Sequence, residues 1–425
     1  MSEVMHQYLI TFTPVDTFLF SGESSVQTKK STVNEAFFVG DAYHDRRQSF
    51  VVTTEKTPPQ TTVMGAIRYF LLQDKGLLGK TKSDVEKAIG KSSFNPANPT
   101  TEMGVIRKIS AVCITGEDNE TRVLCVPAPC DKTYDTDDYA PMQKKDYDPK
   151  KDLKRGYFLY DMKTKDGKLT CENRNAKRWE EQDKFFAVST RAGFAIPGKK
   201  KETKTEEPET ETEVPETGDP ETDDGNFFMQ KRCQLRDRRK DKVETKDKDK
   251  AAIDRPAFCV LAELSESLSN VGESRMMRLG SRGSVFVVRA EPCNIDMSVL
   301  TVPKTAENRT GDYRLSLTSP ARLPKGWNTA YGIQQAFVNT KPVRSAVTGD
   351  DMNLRLIEER LTFADTGSVF IFETEGARDA FETKLSGSAL TVCGSNQIET
   401  EKNPDVSEEM LFALTVCGFN QTMKY

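Results

Sequence analysis

The sequence predicts an α+β fold built on antiparallel sheets. Three observations carry this: many short runs of β-branched and aromatic residues bounded by turn formers, few segments with helical periodicity, and a charged apolar-poor tract that divides the chain. At 425 residues the chain is long enough for two domains or one elaborated domain. The expected division is an N-terminal domain over residues 1–198, a disordered linker over 199–250 and a C-terminal domain over 251–425.

Residues 8–20, rich in aromatic and apolar side chains, read as a first strand interrupted at Pro14 and followed by a second short strand. Residues 21–57 form a polar, basic excursion carrying Lys29, Lys30, Arg46 and Arg47, within which 37–39 and 49–52 can pair as a hairpin. Next comes Pro58-Pro59-Gln60-Thr61-Thr62, where two prolines end an extended segment and Thr61 or Thr62 can cap a new helix with its hydroxyl. Val63, Ile67, Phe70 and Leu71 recur at helical spacing and predict a buried stripe. Residues 84–88 suggest a second, short helix. Strand-like runs follow at 104–114 and 122–127, then a loop-like stretch at 131–155 and an ordered piece near 178–186.

Residues 199–224 alternate Glu, Thr and Pro and have too little apolar surface to offset ordering entropy, which predicts disorder. Residues 231–250 then carry ten Lys or Arg against five Asp or Glu, and read either as an expanded surface loop or as a basic arm for RNA. Order is expected to resume with a strand or short helix at 258–264, a glycine-marked turn, and a strand at 285–288. Later strands are expected at 362–363, 369–372 and 390–392, with helices near 376–384 and 408–414. Residues 389–397 recur almost unchanged at 413–421, which is a local duplication of an expected strand and turn, one copy of which is expected to occupy the native position.

Composition limits the chemistry. Charged residues make up 30% of the chain and mean hydropathy is −0.60, so much of the charge must be solvated. The formal net charge of −4 excludes a polycation; nucleic acid would be held by local basic patches. Nine scattered cysteines without CxxC spacing, and only two histidines, argue against structural zinc and fit reduced thiols in a cytosol. No run is long enough for a membrane helix and the N-terminus lacks secretory patterning, so a soluble cytoplasmic protein is expected, with no cofactor and no metal.

Two elements suit phosphate. Gly65 and Arg68 share one face of the helix after the prolines. A helical glycine costs about 1 kcal/mol relative to alanine, a cost explained if another backbone comes close there. The alternative is an amphipathic helix with one exposed arginine. Within the loop 272–284, Gly280 and Gly283 permit positive φ, successive N–H groups can form an anion nest, and Arg275, Arg278 and Arg282 surround the turn with Ser281 and Ser284. The competing reading is a hairpin turn with exposed arginines. The spacing fits neither a P-loop nor a dinucleotide fingerprint. His44-Asp45 lacks the further histidines of a metal hydrolase, Asp350-Asp351 lacks a hydrophobic hairpin, and no nucleophile elbow is present, so catalysis has little support.

Taken together, the N-terminal Thr-Pro-Val-Asp-Thr-Phe-Leu-Phe strand, the Pro-Pro-Gln-Thr-Thr-Val-Met-Gly-Ala-Ile-Arg helix and the Leu-Gly-Ser-Arg-Gly-Ser-Val-Phe loop resemble the RAMP superfamily of CRISPR effector proteins. Within it the chain is most similar to the type III-B (Cmr) subunits that cap the 5′ end of the guide RNA. The later loop departs from the family pattern of Gly-Gly, an acid, then Arg-Ser. The resemblance implies two ferredoxin-like (RRM-like) domains and a non-catalytic role in binding the 5′ handle of the crRNA. It also implies docking to the large polymerase/cyclase-like subunit and to the first backbone RAMP subunit. By match, Gln60, Thr61, Gly65 and Arg68 would form one wall of the handle site, and Gly280, Ser281, Arg282 and Ser284 another. Lys29, Lys30, Arg46 and Arg47 are assigned by position only. The alternative is a RAMP-type, metal-independent endoribonuclease that processes CRISPR transcripts.

Overall fold

Strand alternation in Tyr8-Leu-Ile-Thr-Phe sends Tyr8, Ile10 and Phe12 to one sheet face and Leu9 and Thr11 to the other, and in the computed structural model both faces are covered there. The structure describes residues 4–27, 32–35, 49–90, 95–96, 99, 102–134, 136–143, 147, 151–195, 226–240, 250–280, 283–303, 312–343, 346–348, 354–356, 361–387 and 407–425.

The chain begins with β1 His6–Pro14, β2 Phe20–Gln27, β3 Thr32–Glu35 and β4 Ser49–Glu55, then α1 Gln60–Asp74 and α2 Lys82–Ile89. There follow β5 Ile106–Ile109, β6 Cys113–Asp118, β7 Thr121–Pro127, β8 Gly156–Lys165, β9 Lys168–Cys171 and β10 Arg178–Glu181. A long hairpin, β11 Phe186–Ala195 and β12 Asn226–Leu235, leads to β13 Asp254–Leu264, β14 Ser274–Leu279 and β15 Ser284–Pro292. The remainder comprises β16 Tyr313–Leu317, α3 Trp327–Ala330, β17 Ile333–Phe337, β18 Thr340–Val343, β19 Ala346–Thr348, β20 Leu354–Leu356, β21 Leu361–Ala364 and β22 Val369–Phe372, then α4 Glu375–Ser386, α5 Glu408–Val416 and β23 Thr422–Lys424. Mostly antiparallel sheets with few helices make this an α+β protein.

The main sheet has ten strands, in the order β10-β8-β7-β6-β13-β1-β15-β14, with β5 on β13 and β9 on β8. Helix α1 covers one face through the expected stripe: Val63, Ile67, Phe70 and Leu71 are all buried against β1, β13 and β15 side chains. Burying four such side chains stabilises by roughly 1.5–3 kcal/mol each before entropy is counted. The expected threonine cap is not used. The helix starts two to three residues earlier, at Gln60, with Pro59 as its cap residue and no side-chain cap bond, so Thr61 and Thr62 lie inside the first turn. Proline's fixed φ, −56° here, already presents the chain to the helix, which leaves the hydroxyls free of that task.

Strands β13, β14 and β15 fall within the expected C-terminal domain, yet β13 and β15 flank β1 in the main sheet and β14 pairs with β15 at its edge. The ordered part of the expected linker is larger than composition suggested: β12 pairs along its length with β11 and also, in parallel, with β4. The five-stranded sheet β11-β12-β4-β2-β3 is tied to the core where Phe18 and Cys233 exchange backbone hydrogen bonds of 2.7 and 3.0 Å. Arg238 and Arg239, in the block read either as a surface loop or as a basic arm, face Asp118, Asp254 and Asp237 of this chain. Residues 199–225 and 241–249 lie outside the described residues, as do 37–39 and 390–392.

The last sheet, β17-β22-β16-β23, is antiparallel throughout. With β18–β21 inserted after β17, its elements run strand, short helix, strand, strand, two helices, strand, and the strands lie in the spatial order 4-1-3-2 if β16 is counted first. Of the duplicated segments, 413–421 is described and forms the end of α5 and a turn, not the expected strand. Phe419 is buried against Phe363, a place where the serine of the other copy would leave a void. A buried pair, Arg314 with Asp131, joins this sheet to residues 131–142, and Tyr139 and Tyr425 donate to the same carboxylate at 2.7 and 3.0 Å.

Candidate RNA interface

Helix α1 begins where the segment 56–59 leaves β4, and its first-turn N–H groups at Gln60, Thr61 and Thr62 precede the first intrahelical bond, from Val63 N–H to Pro59 O at 3.1 Å. That end of the helix borders a cleft of about 830 Å³. One wall is residues 53–62, including Thr57, Gln60, Thr61 and Thr62. A second is the turn after β16, Thr318, Ser319 and Pro320, with Thr340 to Val343. Gly280 contributes from the β14–β15 turn. The helix N-terminus and the glycine turn, 220 residues apart, therefore line one cavity. Threonines and a serine are frequent in the first two walls, and oriented amides and hydroxyls suit a ribose-phosphate strand.

Gly280 has φ of +74°, and a Cβ there would lie 2.5 Å from the Leu19 carbonyl oxygen and 2.9 Å from a Phe20 ring carbon. Both reasons for glycine apply at once: a left-handed backbone and the close passage of another chain segment. The passing segment is held by Ser284, whose hydroxyl accepts the Leu19 N–H at 3.3 Å.

The charges in the cleft are paired. Lys341 lies 3.2 Å from Glu55 and 3.6 Å from Asp365, and Arg155 lies 2.8 Å from the other oxygen of Asp365. Burial opposes the charged form of Lys341, but Glu55 and Asp365 outweigh it and hold its pKa above the ordinary lysine value. Lys56 pairs with Asp183 at 2.6 Å. These pairs join β4, the start of β8 and the β18–β21 hairpin across the cleft. An incoming anion meets cations that must share or exchange their carboxylates.

The sequence-predicted residues divide. Thr61 and Gly280 line the cleft. Gln60 also borders it, but the side chain is buried and its amide nitrogen donates to the Ser110 and Cys417 carbonyls, each at 3.0 Å. It therefore serves as an internal clamp instead of a free contact. Ser284 is likewise buried and turned inward. Arg275 departs most from expectation: it stacks over Phe70 at 5.5 Å and faces Asp74 at 3.4 Å, at the far end of α1 from the cleft. Its neighbour in sequence pattern, Arg278, is exposed with its stem against Gly283.

Gly65 is exposed, and a Cβ there would meet nothing within 4 Å, so among the described residues none makes the close approach expected of it. Arg68 does not line the cleft; its guanidinium reaches the Gly90 carbonyl at 3.5 Å, and burial lowers its pKa, with Cys417 offsetting part of the effect. Lys29, Lys30, Arg46, Arg47, Ser281 and Arg282 lie outside the described residues, as do His44, Asp350, Asp351, Phe37 and Phe38. Of the other aromatics considered for stacking, Phe286 is core, packed on Phe20, whereas Tyr69 is 44% exposed. His6 is part of β1, opposite Leu264.

Sequence reasoning did not find Arg155, Lys341 or Thr318–Pro320, which reach the cleft only through folding. The hydroxyl-rich run Thr53-Thr54-Glu-Lys-Thr57-Pro-Pro-Gln-Thr61-Thr62 was the available signal. Among the described residues no group of three or more His, Cys, Asp or Glu is placed to hold a metal, and no helix is long and apolar enough to cross a membrane.

Residues 35–400 match the family model described as CRISPR-associated protein (Cas_Cmr3). No curated protein matches the chain.

Proposed function

This chain belongs to the Cas_Cmr3 family of CRISPR-associated proteins, which indicates a subunit of a type III-B Cmr complex, and from that premise we propose that it is a non-catalytic subunit gripping the 5′ handle of the crRNA in the cleft at the start of α1. The observation that carries this reading is the convergence of Thr61 and Gly280 on one cavity. The cavity is large enough for a nucleotide or more, and its amides and hydroxyls suit sugar and phosphate. Docking to the large polymerase/cyclase-like subunit and to the first backbone RAMP subunit, in the cytoplasm, completes the proposal. The 4-1-3-2 antiparallel order of β23-β16-β22-β17 supports a ferredoxin-like C-terminal unit. The main sheet reads β13-β1-β15-β14 at one end, a more elaborated arrangement around the same helix-covered face.

The test is a Thr61→Glu variant, which places a carboxylate in the cleft at a helix position that favours it. Affinity for a guide RNA bearing its handle is expected to fall at least tenfold, with the melting temperature unchanged and handle-less RNA bound as before. Equal affinity of variant and wild type for the handle RNA would overturn the assignment.

A further inference from the structure

The main sheet is covered on both faces over most of its width, but not at its β14 end. There, among the described residues, nothing covers the outer part of the face opposite α1. The register aligns two cross-strand rows on it, Thr13, Val287 and Met276, then Arg278 and Val285, with Val15 donating its N–H to the Val285 carbonyl at 3.0 Å; the next row inward, Arg289 and Ser274, borders the buried Thr11. Met276 is 70% exposed, Val15 60% and Val285 37%. Three apolar side chains that open to water, adjacent on one sheet face, form a patch that invites cover.

The charges around the patch have one unmet sign. Arg278 makes no ion pair among the described residues, and the half-exposed Arg289 lies 3.8 Å from Glu291. The bordering carboxylates are engaged elsewhere, Glu291 by Arg122 at 2.6 Å and Asp16 by Arg191 at 3.9 Å. The rows themselves contain no acid. They also contain no aromatic ring, so bases would have no stacking platform, and this face suits protein better than single-stranded RNA. On the opposite face the same strands are covered by a helix, α1.

We infer that the open face of β1, β15 and β14 is a docking surface for an acidic amphipathic helix of another protein subunit, with Met276, Val15 and Val285 under its apolar stripe and Arg278 and Arg289 facing its carboxylates. The two arginines stand about four residues apart along the strands, roughly 13 Å, which matches carboxylates two to three turns apart on a helix. This surface is independent of the RNA cleft: Thr61 does not belong to it, and none of Met276, Arg278 or Arg289 lines the cavity.

The test uses the full chain reconstituted with the purified protein subunits and guide RNA of its complex. Met276→Asp and the Arg278→Glu/Arg289→Glu pair are each compared with wild type. Both variants alter exposed side chains, so unchanged melting of the free chain verifies folding. The expected result is a ten- to hundredfold weaker affinity for one protein subunit, the size of an interface hot spot, with RNA affinity retained. Amide exchange in residues 274–289 should slow on assembly in wild type only. Wild-type affinity for every subunit in both variants would overturn the inference. So would loss of RNA with all subunits retained, which would assign the face to nucleic acid. Loss of self-association alone, read by sedimentation, would assign it to a second copy of this chain.

Discussion

Replacing Gln60 by alanine separates an internal clamp from an RNA contact. The Gln60 amide joins three parts of the chain: its own helix α1, the Ser110 carbonyl before β6 and the Cys417 carbonyl at the end of α5, with both bonds 3.0 Å long and buried. Gly418 is shaped around it, since a Cβ at that glycine would lie 2.0 Å from the amide nitrogen. Truncation removes two hydrogen bonds and strands two buried carbonyls, which together cost about 2–4 kcal/mol. Urea denaturation of the free chain, without RNA, reads this directly as a lower midpoint with unchanged slope. Gln60→Glu should be worse than alanine, because a carboxylate offers no donor to two carbonyl oxygens and is itself buried. A loss below about 0.5 kcal/mol in the alanine variant, within the range of ordinary surface changes, accompanied by weaker RNA binding, would refute the clamp and restore Gln60 to the ligand side of the cleft.

Four further outcomes are expected. Gly280→Ala should destabilise by more than about 2 kcal/mol, because positive φ and the Leu19 carbonyl both exclude a side chain, whereas Arg278→Ala should change stability by less than about 0.5 kcal/mol; equal thermal shifts in the two variants would contradict this. Asp118, buried and faced by Arg178, Lys177 and Arg238, is opposed by burial, but those cations hold its pKa below the ordinary carboxylate value. Its stabilisation is therefore present above pH about 4 and is lost as pH falls through the lower folded value. Asp118→Asn should cost about 3–5 kcal/mol near neutrality, and the gap to wild type should close in acid; a gap that widens on acidification would contradict the sign. Removing residues 200–222 should leave complex assembly intact, read by co-purification of the other subunits. His44→Ala should leave guide-RNA length unchanged on a denaturing gel; loss of a cleavage product would favour the ribonuclease reading instead.

The helix α1 was legible because its stripe of Val63, Ile67, Phe70 and Leu71 is a local pattern read at a single period, and all four are buried. Gly280 and Gly283 were legible for a similar reason: both have the positive φ that a tight turn needs. Strands at 122–127, 285–288 and 369–372 and the helices near 376–384 and 408–414 follow the same local logic. What was not legible depends on partners distant in sequence. An arginine beside a glycine turn has the same local signature whether it meets a phosphate or, as Arg275 does, a carboxylate 201 residues away. Gln60 and Ser284 sit in motifs that read as contacts, yet Gln60 donates to two backbone carbonyls and the Ser284 hydroxyl accepts from the Leu19 N–H and the Arg232 guanidinium of this same chain. Strand β12 was hidden by the charged composition around it, because pairing with β11 and β4 supplies what its own pattern does not announce. Lys341 and Arg155 gave no signal at all, since only the meeting of β8 with the β18–β21 hairpin brings them to the cleft.

The central claim is that the start of α1 and the turn at Gly280 face one another across the groove that holds the guide's 5′ handle. Photo-crosslinking with 4-thiouridine placed in the handle, followed by peptide mapping, tests it most directly. Cross-links are expected within residues 53–62 and 318–320 or 340–343, and to vanish when the label is moved to the guide's 3′ end. Cross-links confined to the far side of the main sheet, along β8 to β10, would contradict it.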